Sequence, residues 1–232
     1  MGADQAHDWR LLAASALEWW RDAGVDTLVD DAPRDWLAKA RATPAPAETV
    51  VPGVALPRSL AEFEAWRAGA DAPETAAKAR KFVAEGDAAS GMMVLVDCPD
   101  ADGIVTGAAG QLFDRMLAAI GRDRASIYLA PLAIARPVAG RITPEMEAAL
   151  TPLLRHHVRL AAPKRLLVLG VAASRALLGP DRATSRGSLL TVNLDGFTVD
   201  AVAGFSPSGL LKQPAAKAES WRGLQLLTGG LR

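Results

Sequence analysis

MMVLVDCPDADGIVTGAAGQLFDRMLAAIG, residues 92 to 121, is the stretch whose reading decides the fold. Its first five residues, Met92 to Val96, are all apolar, the pattern of a strand buried on both faces of a parallel sheet. A loop opens at Asp97 and carries Pro99, Gly103, Gly107 and Gly110 before an amphipathic run begins. In that run Leu112, Met116, Leu117 and Ile120 recur at helical spacing, and Gly121 stands where a C-terminal cap belongs. Strand, glycine-bearing loop and helix in succession predict an α/β fold, in which ligands bind beyond the carboxyl ends of the strands. Asp97 stands at the mouth of the loop. Two readings of it are open: a functional carboxylate, or a side chain that caps the turn.

The chain has 232 residues, half of them apolar, enough for one good-sized core. No run of about 18 apolar residues occurs, so no membrane span is expected. Acids and a histidine occupy the N-terminus where a signal peptide would be basic and then apolar, which points to a cytoplasmic protein. A single cysteine, Cys98, excludes an internal disulfide and any cysteine-ligated cluster or zinc finger within one chain. No metal and no cofactor are expected. Net charge is +0, which argues against coating nucleic acid by bulk electrostatics. The distribution is uneven: residues 1 to 150 hold 15 Lys/Arg against 22 Asp/Glu, and residues 151 to 232 hold 11 against 4. That basic C-terminal third is either a solvated face or a surface for a phosphate backbone.

Residues 4 to 23 read as an amphipathic helix with Trp9, Leu12, Ala16, Trp19 and Trp20 towards one face, and Asp35 to Arg41 suit a second short helix. Residues 1–41 are thus a helical N-terminal extension. The tryptophan-bearing helix is a candidate docking element for a protein partner. Residues 42–57, with Pro44, Pro46, Pro52 and Pro57, read as an extended linker, and residues 58–232 as the α/β domain. Ser59 with Glu62 forms a capping-box signature, and Thr143 with Pro144, Glu145 and Glu147 opens a helix to Leu160. His156 and His157 in that helix project about 100° apart and read as surface or interface residues rather than metal ligands. Tyr128 to Ile134 and Arg165 to Gly170 read as strands, and Asp195-Gly196 joins two more in a hairpin. The run GIVTGAAG lacks the Lys-Ser/Thr of a phosphate-binding P-loop and does not match GxGxxG. Cys98 beside Asp97 reads as a packed loop residue, because a neighbouring carboxylate raises a thiol pKa.

Four segments carry a family resemblance, in order. AGQLFDRMLAAIG, preceded by a strand and a carboxylate-x-Pro, resembles the first motif of the bacterial family-four uracil-DNA glycosylases, GEAPG...GRPFVG..GQLLDRML. IYLAPLAIARP is similar to that family's YITNVLKWRPP, KRLLVLGVAASRALLG to its PKVIVALGRTAAQALLG, and SPSGLLKQPAAKAESW to its HPAYLLRNPAQKRLAW. The resemblance covers roughly residues 80 to 227 and implies a three-layer α/β/α fold with a central, mostly parallel sheet.

It also implies roles residue by residue. Asp97 matches the family's glutamate, and Cys98, Pro99, Val105 and Pro131 fall in its base pocket. Val105 stands for the stacking Phe, in a loop one residue shorter, and Pro131 for the Asn that reads the uracil edge. A proline has no amide donor and no polar side chain. Asp100 replaces a glycine, and Ser206 replaces the histidine that stabilises the departing uracil. Arg186, Pro207, Ser208, Leu210, Leu211, Lys212 and Lys217 match the segments that meet DNA. The iron-sulfur ligand positions are absent: no cysteine occurs in ADAPETAAKARKFVAEGD, and Ala135 and Leu150 align with the other two. The resemblance therefore implies a DNA-binding or DNA-repair protein whose uracil excision is lost or much reduced. One alternative is a glycosylase of altered base preference using Asp97 for water and Ser206 as hydroxyl donor. A second is a protein-interaction module.

Overall fold

Six strands form one sheet: β1 (Glu85–Gly86), β2 (Met92–Val96), β3 (Tyr128–Pro131), β4 (Arg165–Leu169), β5 (Leu189–Leu194) and β6 (Phe197–Gly204). The computed structural model describes residues 9–22, 56–69, 72, 79–138, 140–179, 186–194 and 196–229. The chain divides into two compact units, Met1–Ala47 and Glu48–Arg232, and the sheet belongs to the second. Neighbouring strands follow the order β1-β3-β2-β4-β6-β5. The central four run parallel, and β1 and β5 pair antiparallel at the edges.

The uninterrupted apolar run of β2 has a plain cause. Met93 and Leu95 point to one face, where they meet Phe63 of helix α2 (Leu60–Ala68), Leu150 and Leu154 of α4 (Pro144–Ala161), and Ala173 and Leu177 of α5 (Val171–Leu178). Met92, Val94 and Val96 point to the other, against Phe113 and Leu117 of α3 (Gly107–Ala119) and Leu224 and Leu227 of α7 (Lys217–Thr228). The result is the expected three-layer α/β/α arrangement. Alternate side chains of a strand reach opposite faces, so a strand covered on both sides must be apolar throughout.

Local signals place the ends of these elements. Ser59 Oγ accepts the Glu62 N–H at 3.3 Å, and Thr143 Oγ1 accepts that of Met146 at 3.3 Å, fixing the starts of α2 and α4. Gly121, at φ 70°, donates to Ala118 and turns the chain after α3. The β5–β6 hairpin pairs Leu194 with Phe197, and the Gly196 N–H donates to Asn193 Oδ1 at 3.2 Å.

Three expectations need correction. The buried stripe of α3 is centred on Phe113 and Leu117, while Leu112 and Met116 lie at its margin. β3 stops at Pro131 instead of Ile134: the Leu132 N–H still bonds Val96, but residue 131 has no amide for the opposite side, and there β1 pairs only Tyr128 and Leu129. His157 is not at the surface. It is fully buried against Phe63, with its Nε2 2.7 Å from the Tyr128 hydroxyl. That hydroxyl donates to Glu64, so His157 is the donor in the shared bond.

In the first unit, α1 (Trp9–Asp22) is helical as expected, with Ala16 and Trp19 of the anticipated apolar face exposed. Residues 35–41 and most of 42–57 lie outside the described residues. Among the described residues no helix is long and apolar enough to cross a membrane.

Candidate functional site

Parallel register brings the matched segments to one edge. Val96 lies opposite Pro131 on one side and Leu169 on the other, and Leu169 lies opposite Gly204. Beyond these residues the chain emerges, in spatial order, at Leu132, Asp97, Gly170 and Phe205, with Ser206 next. Asp97 and Ser206 thus share the carboxyl edge of the sheet, about 10 Å apart by strand spacing, with β4 between them.

Asp97 does not stand free at that edge. Its Oδ1 accepts the Ala173 N–H at 2.8 Å and its Oδ2 the Val171 N–H at 3.1 Å, so both oxygens close the N-terminus of α5. Gly170 makes this possible. At φ 140° it occupies a conformation closed to other residues, and a Cβ there would fall inside the Asp97 carboxylate. Burial raises the Asp97 pKa, more than the backbone bonds from Ala173, Val171 and Ala172 lower it, and the charge of Glu147 adds a smaller push upward.

Ser206 is engaged in the same way. It is the N-cap of α6 (Pro207–Lys212), its Oγ accepting the Gly209 N–H at 3.2 Å and lying 3.3 Å from Ser208 Oγ. Pro131 is buried and offers neither donor nor side-chain acceptor. Pro99 is buried, and half-buried Cys98 packs against the core; burial and then the Asp97 charge push its thiol pKa up.

Val105 lies inside the protein. It is 7% exposed and packs with Ile104 and Phe113 in the core on the α3 side, so it offers no stacking platform. It also holds φ 58°, a strained conformation for a β-branched residue. Arg124 secures it by donating to the carbonyls of Ile104 at 3.1 Å and Val105 at 2.7 Å. Asp100 is likewise drawn into the loop. Its Oδ2 accepts the Thr106 N–H at 2.7 Å, and its Oδ1 lies 3.5 Å from Arg136.

Of the residues expected to meet DNA, Leu210 is 1% exposed and part of the packed interior. Pro207 is buried too. Leu211 is 45% exposed, and Ser208, Lys212 and Lys217 are exposed as well. The Arg186 guanidinium lies 4.3 Å from the Phe205 ring centroid, which sets it next to Ser206. Gly170, Val171 and Arg136 are site residues that sequence reasoning missed. The glycine at the RLLVLG–helix junction was the available signal, since glycine there marks a close approach.

The positions that align with cluster ligands do not fit an iron-sulfur group. Ala135 and Leu150 are buried apolar side chains, and one cysteine cannot supply a thiolate set.

These features define a class: an α/β/α protein whose candidate site lies at the carboxyl edge of a parallel sheet, with a carboxylate on one strand end and a capped loop two strands away. Residues 97–225 match the uracil DNA glycosylase superfamily, and that span is more than half of the chain. The chain belongs to this superfamily. It is also 27% identical over 160 residues to the type-4 uracil-DNA glycosylase of Pyrobaculum aerophilum, an alignment covering 63% of this chain and 81% of that protein.

Proposed function

We propose that this protein is a DNA-binding member of the superfamily, acting in cytoplasmic DNA repair, in which efficient uracil excision has been lost. One observation carries the reading: Asp97 and Ser206, the side chains at the matched catalytic positions, are both engaged in capping helices. Uracil excision needs a carboxylate to orient water or balance the sugar cation, donors along the base edge, and a donor for the leaving oxygen. Pro131 supplies no edge donor, and Val105 is turned into the core. Loss of one oxyanion donor typically costs about 10²- to 10³-fold in rate, and loss of a general base about 10²- to 10⁴-fold, without strict additivity. The DNA-facing parts persist as exposed Ser208, Leu211, Lys212 and Lys217, with Arg186 alongside. These support a surface that takes phosphates on its cations and presses Leu211 into a groove.

The test is release of uracil from labelled single- and double-stranded oligonucleotides, with binding read in the same samples and Asp97→Asn run in parallel. Salt-dependent binding without base release is the expected result. Release that disappears in Asp97→Asn would instead make the protein a glycosylase with a rebuilt site. Absence of binding even at low salt would remove the DNA-binding reading altogether.

A further inference from the structure

The segment from Arg136 to Arg141 follows β3, on the opposite flank of the candidate site from α6, and its exposed side chains take no part in the core. Val138 is 99% exposed, between exposed Arg136 and Arg141. A hydrogen bond of 2.8 Å from the Gly140 N–H to the Pro137 carbonyl closes the turn that carries it, and Gly140 adopts φ 68°. The valine is therefore displayed on a tight turn rather than on an extended strand. Residues 131 to 144, PLAIARPVAGRITP, contain no acid.

Position gives this turn its meaning. Leu132 and Ala133 bond the carbonyls of Val96 and Asp97, so the chain leaves β3 alongside the candidate site before reaching Arg136. Arg136 then touches Asp100, in the loop that follows Asp97, at 3.5 Å, with side chains 52% and 40% exposed. An ion pair this open is weak and readily exchanged for a better anion. A phosphodiester, which guanidinium groups bind with paired hydrogen bonds, is such an anion. From the end of β3 to the end of β6 is three strand spacings, about 14 Å, close to the rise of about four nucleotides at about 3.4 Å each. A strand lying over the site would run from the flank that carries Arg136 to the flank that carries α6.

We propose that the Arg136–Arg141 turn is a second DNA-binding surface, taking backbone phosphates on Arg136 and Arg141 and packing Val138 against an adjacent sugar or base. Asp100 holds Arg136 in the unbound protein and yields it to the phosphate. The proposal rests on the DNA-binding reading above, and adds to it a flank outside the segments that the α6 loop supplies.

Fluorescence anisotropy of the full chain with labelled single-stranded and duplex oligonucleotides, over a salt series, tests it. Arg136→Gln with Arg141→Gln should weaken binding several-fold and reduce the salt slope on single strands by about 1.4, about 0.7 for each phosphate no longer neutralised. Val138→Ser should weaken binding with the slope unchanged. Asp100→Asn should tighten binding more than Asp102→Asn does, because among the described residues Asp100 is the acid paired with Arg136. Asp102, Arg136, Val138 and Arg141 are exposed, and Asp100→Asn keeps an oxygen that can accept the Thr106 N–H, so unchanged melting curves are expected and separate impaired binding from impaired folding. Wild-type affinity and slope in the double arginine variant, while Lys212→Gln with Lys217→Gln weakens binding, would overturn this second surface and leave the DNA-binding reading intact. Failure of the unaltered protein to bind at low salt would overturn both.

Discussion

Both oxygens of Asp97 accept N–H groups at the start of α5, so removing them uncaps a helix whose residues Ala173, Ser174 and Leu177 are buried. Asp97→Ala should lower stability by about 1–2 kcal/mol, read as a fall in melting temperature of a few degrees. Gly170→Ala should cost more, since its Cβ would enter the carboxylate and its φ of 140° excludes alanine. The double variant should cost less than the two added together, because the clash vanishes once the carboxylate is gone. Asp97 also imposes a pH dependence. Burial holds its folded pKa above the ordinary 3.8, so the folded state binds the proton more tightly than the unfolded chain does. The stability this gives is fully present below pH 3.8 and is lost as pH rises through the folded value. Asp97→Asn should flatten that part of a stability–pH curve measured by denaturant unfolding.

At the scale of elements, α6 divides its two leucines between interior and surface. Leu210→Ala should destabilise by about 2–5 kcal/mol through the cavity it leaves, and Leu211→Ala should leave the melting temperature in place while weakening DNA binding. Helix α4 carries the opposite pH signature from Asp97. Burial, then the charges of Arg67 and His156, lowers the His157 pKa from 6.5 to about 3. A depressed value means that the unfolded chain takes up the proton first. The corresponding stability is complete above pH 6.5 and is lost as pH falls towards about 3, with a slope approaching about 1.4 kcal/mol per pH unit. His157→Gln should remove that acid limb in denaturant titrations. The fully buried Arg67 donates to the Leu132 carbonyl at 2.7 Å, and with Glu64, Tyr128 and His157 it ties α2 and α4 to β3 through polar groups.

For the whole molecule, the unit Glu48–Arg232 contains both hydrophobic clusters that flank the sheet. A chain beginning at residue 48 should therefore unfold cooperatively and keep its DNA binding. Loss of a protein partner from that shortened chain, with DNA binding intact, would assign the partner to the N-terminal helix. Net charge of +0 masks a basic C-terminal third that contains Lys212, Lys217 and Arg186. Binding should accordingly be local and steep in salt, with Lys212→Gln and Lys217→Gln each reducing the slope by about 0.7 on single strands.

The succession of strand, loop and helix from Met92 to Gly121, the capped starts at Ser59 and Thr143, and the β5–β6 hairpin were legible in the sequence. Each rests on local chemistry: apolar periodicity, a hydroxyl that reaches its own backbone, a glycine that adopts positive φ. The order of the segments likewise determined the family. What those segments do was decided only in three dimensions. Whether Asp97 faces water or caps a helix depends on Val171 and Ala173, which lie 74 and 76 residues further along the chain. Leu210 and Leu211 are alike in sequence, and the seat of α6 alone buries one and exposes the other. His157 became a core residue because Tyr128 and Phe63 converge on it from other elements, with Glu64 holding the Tyr128 hydroxyl. Periodicity reports which face of an element is apolar, whereas the partners of a polar side chain are set by parallel register, which brings distant strand ends to one edge.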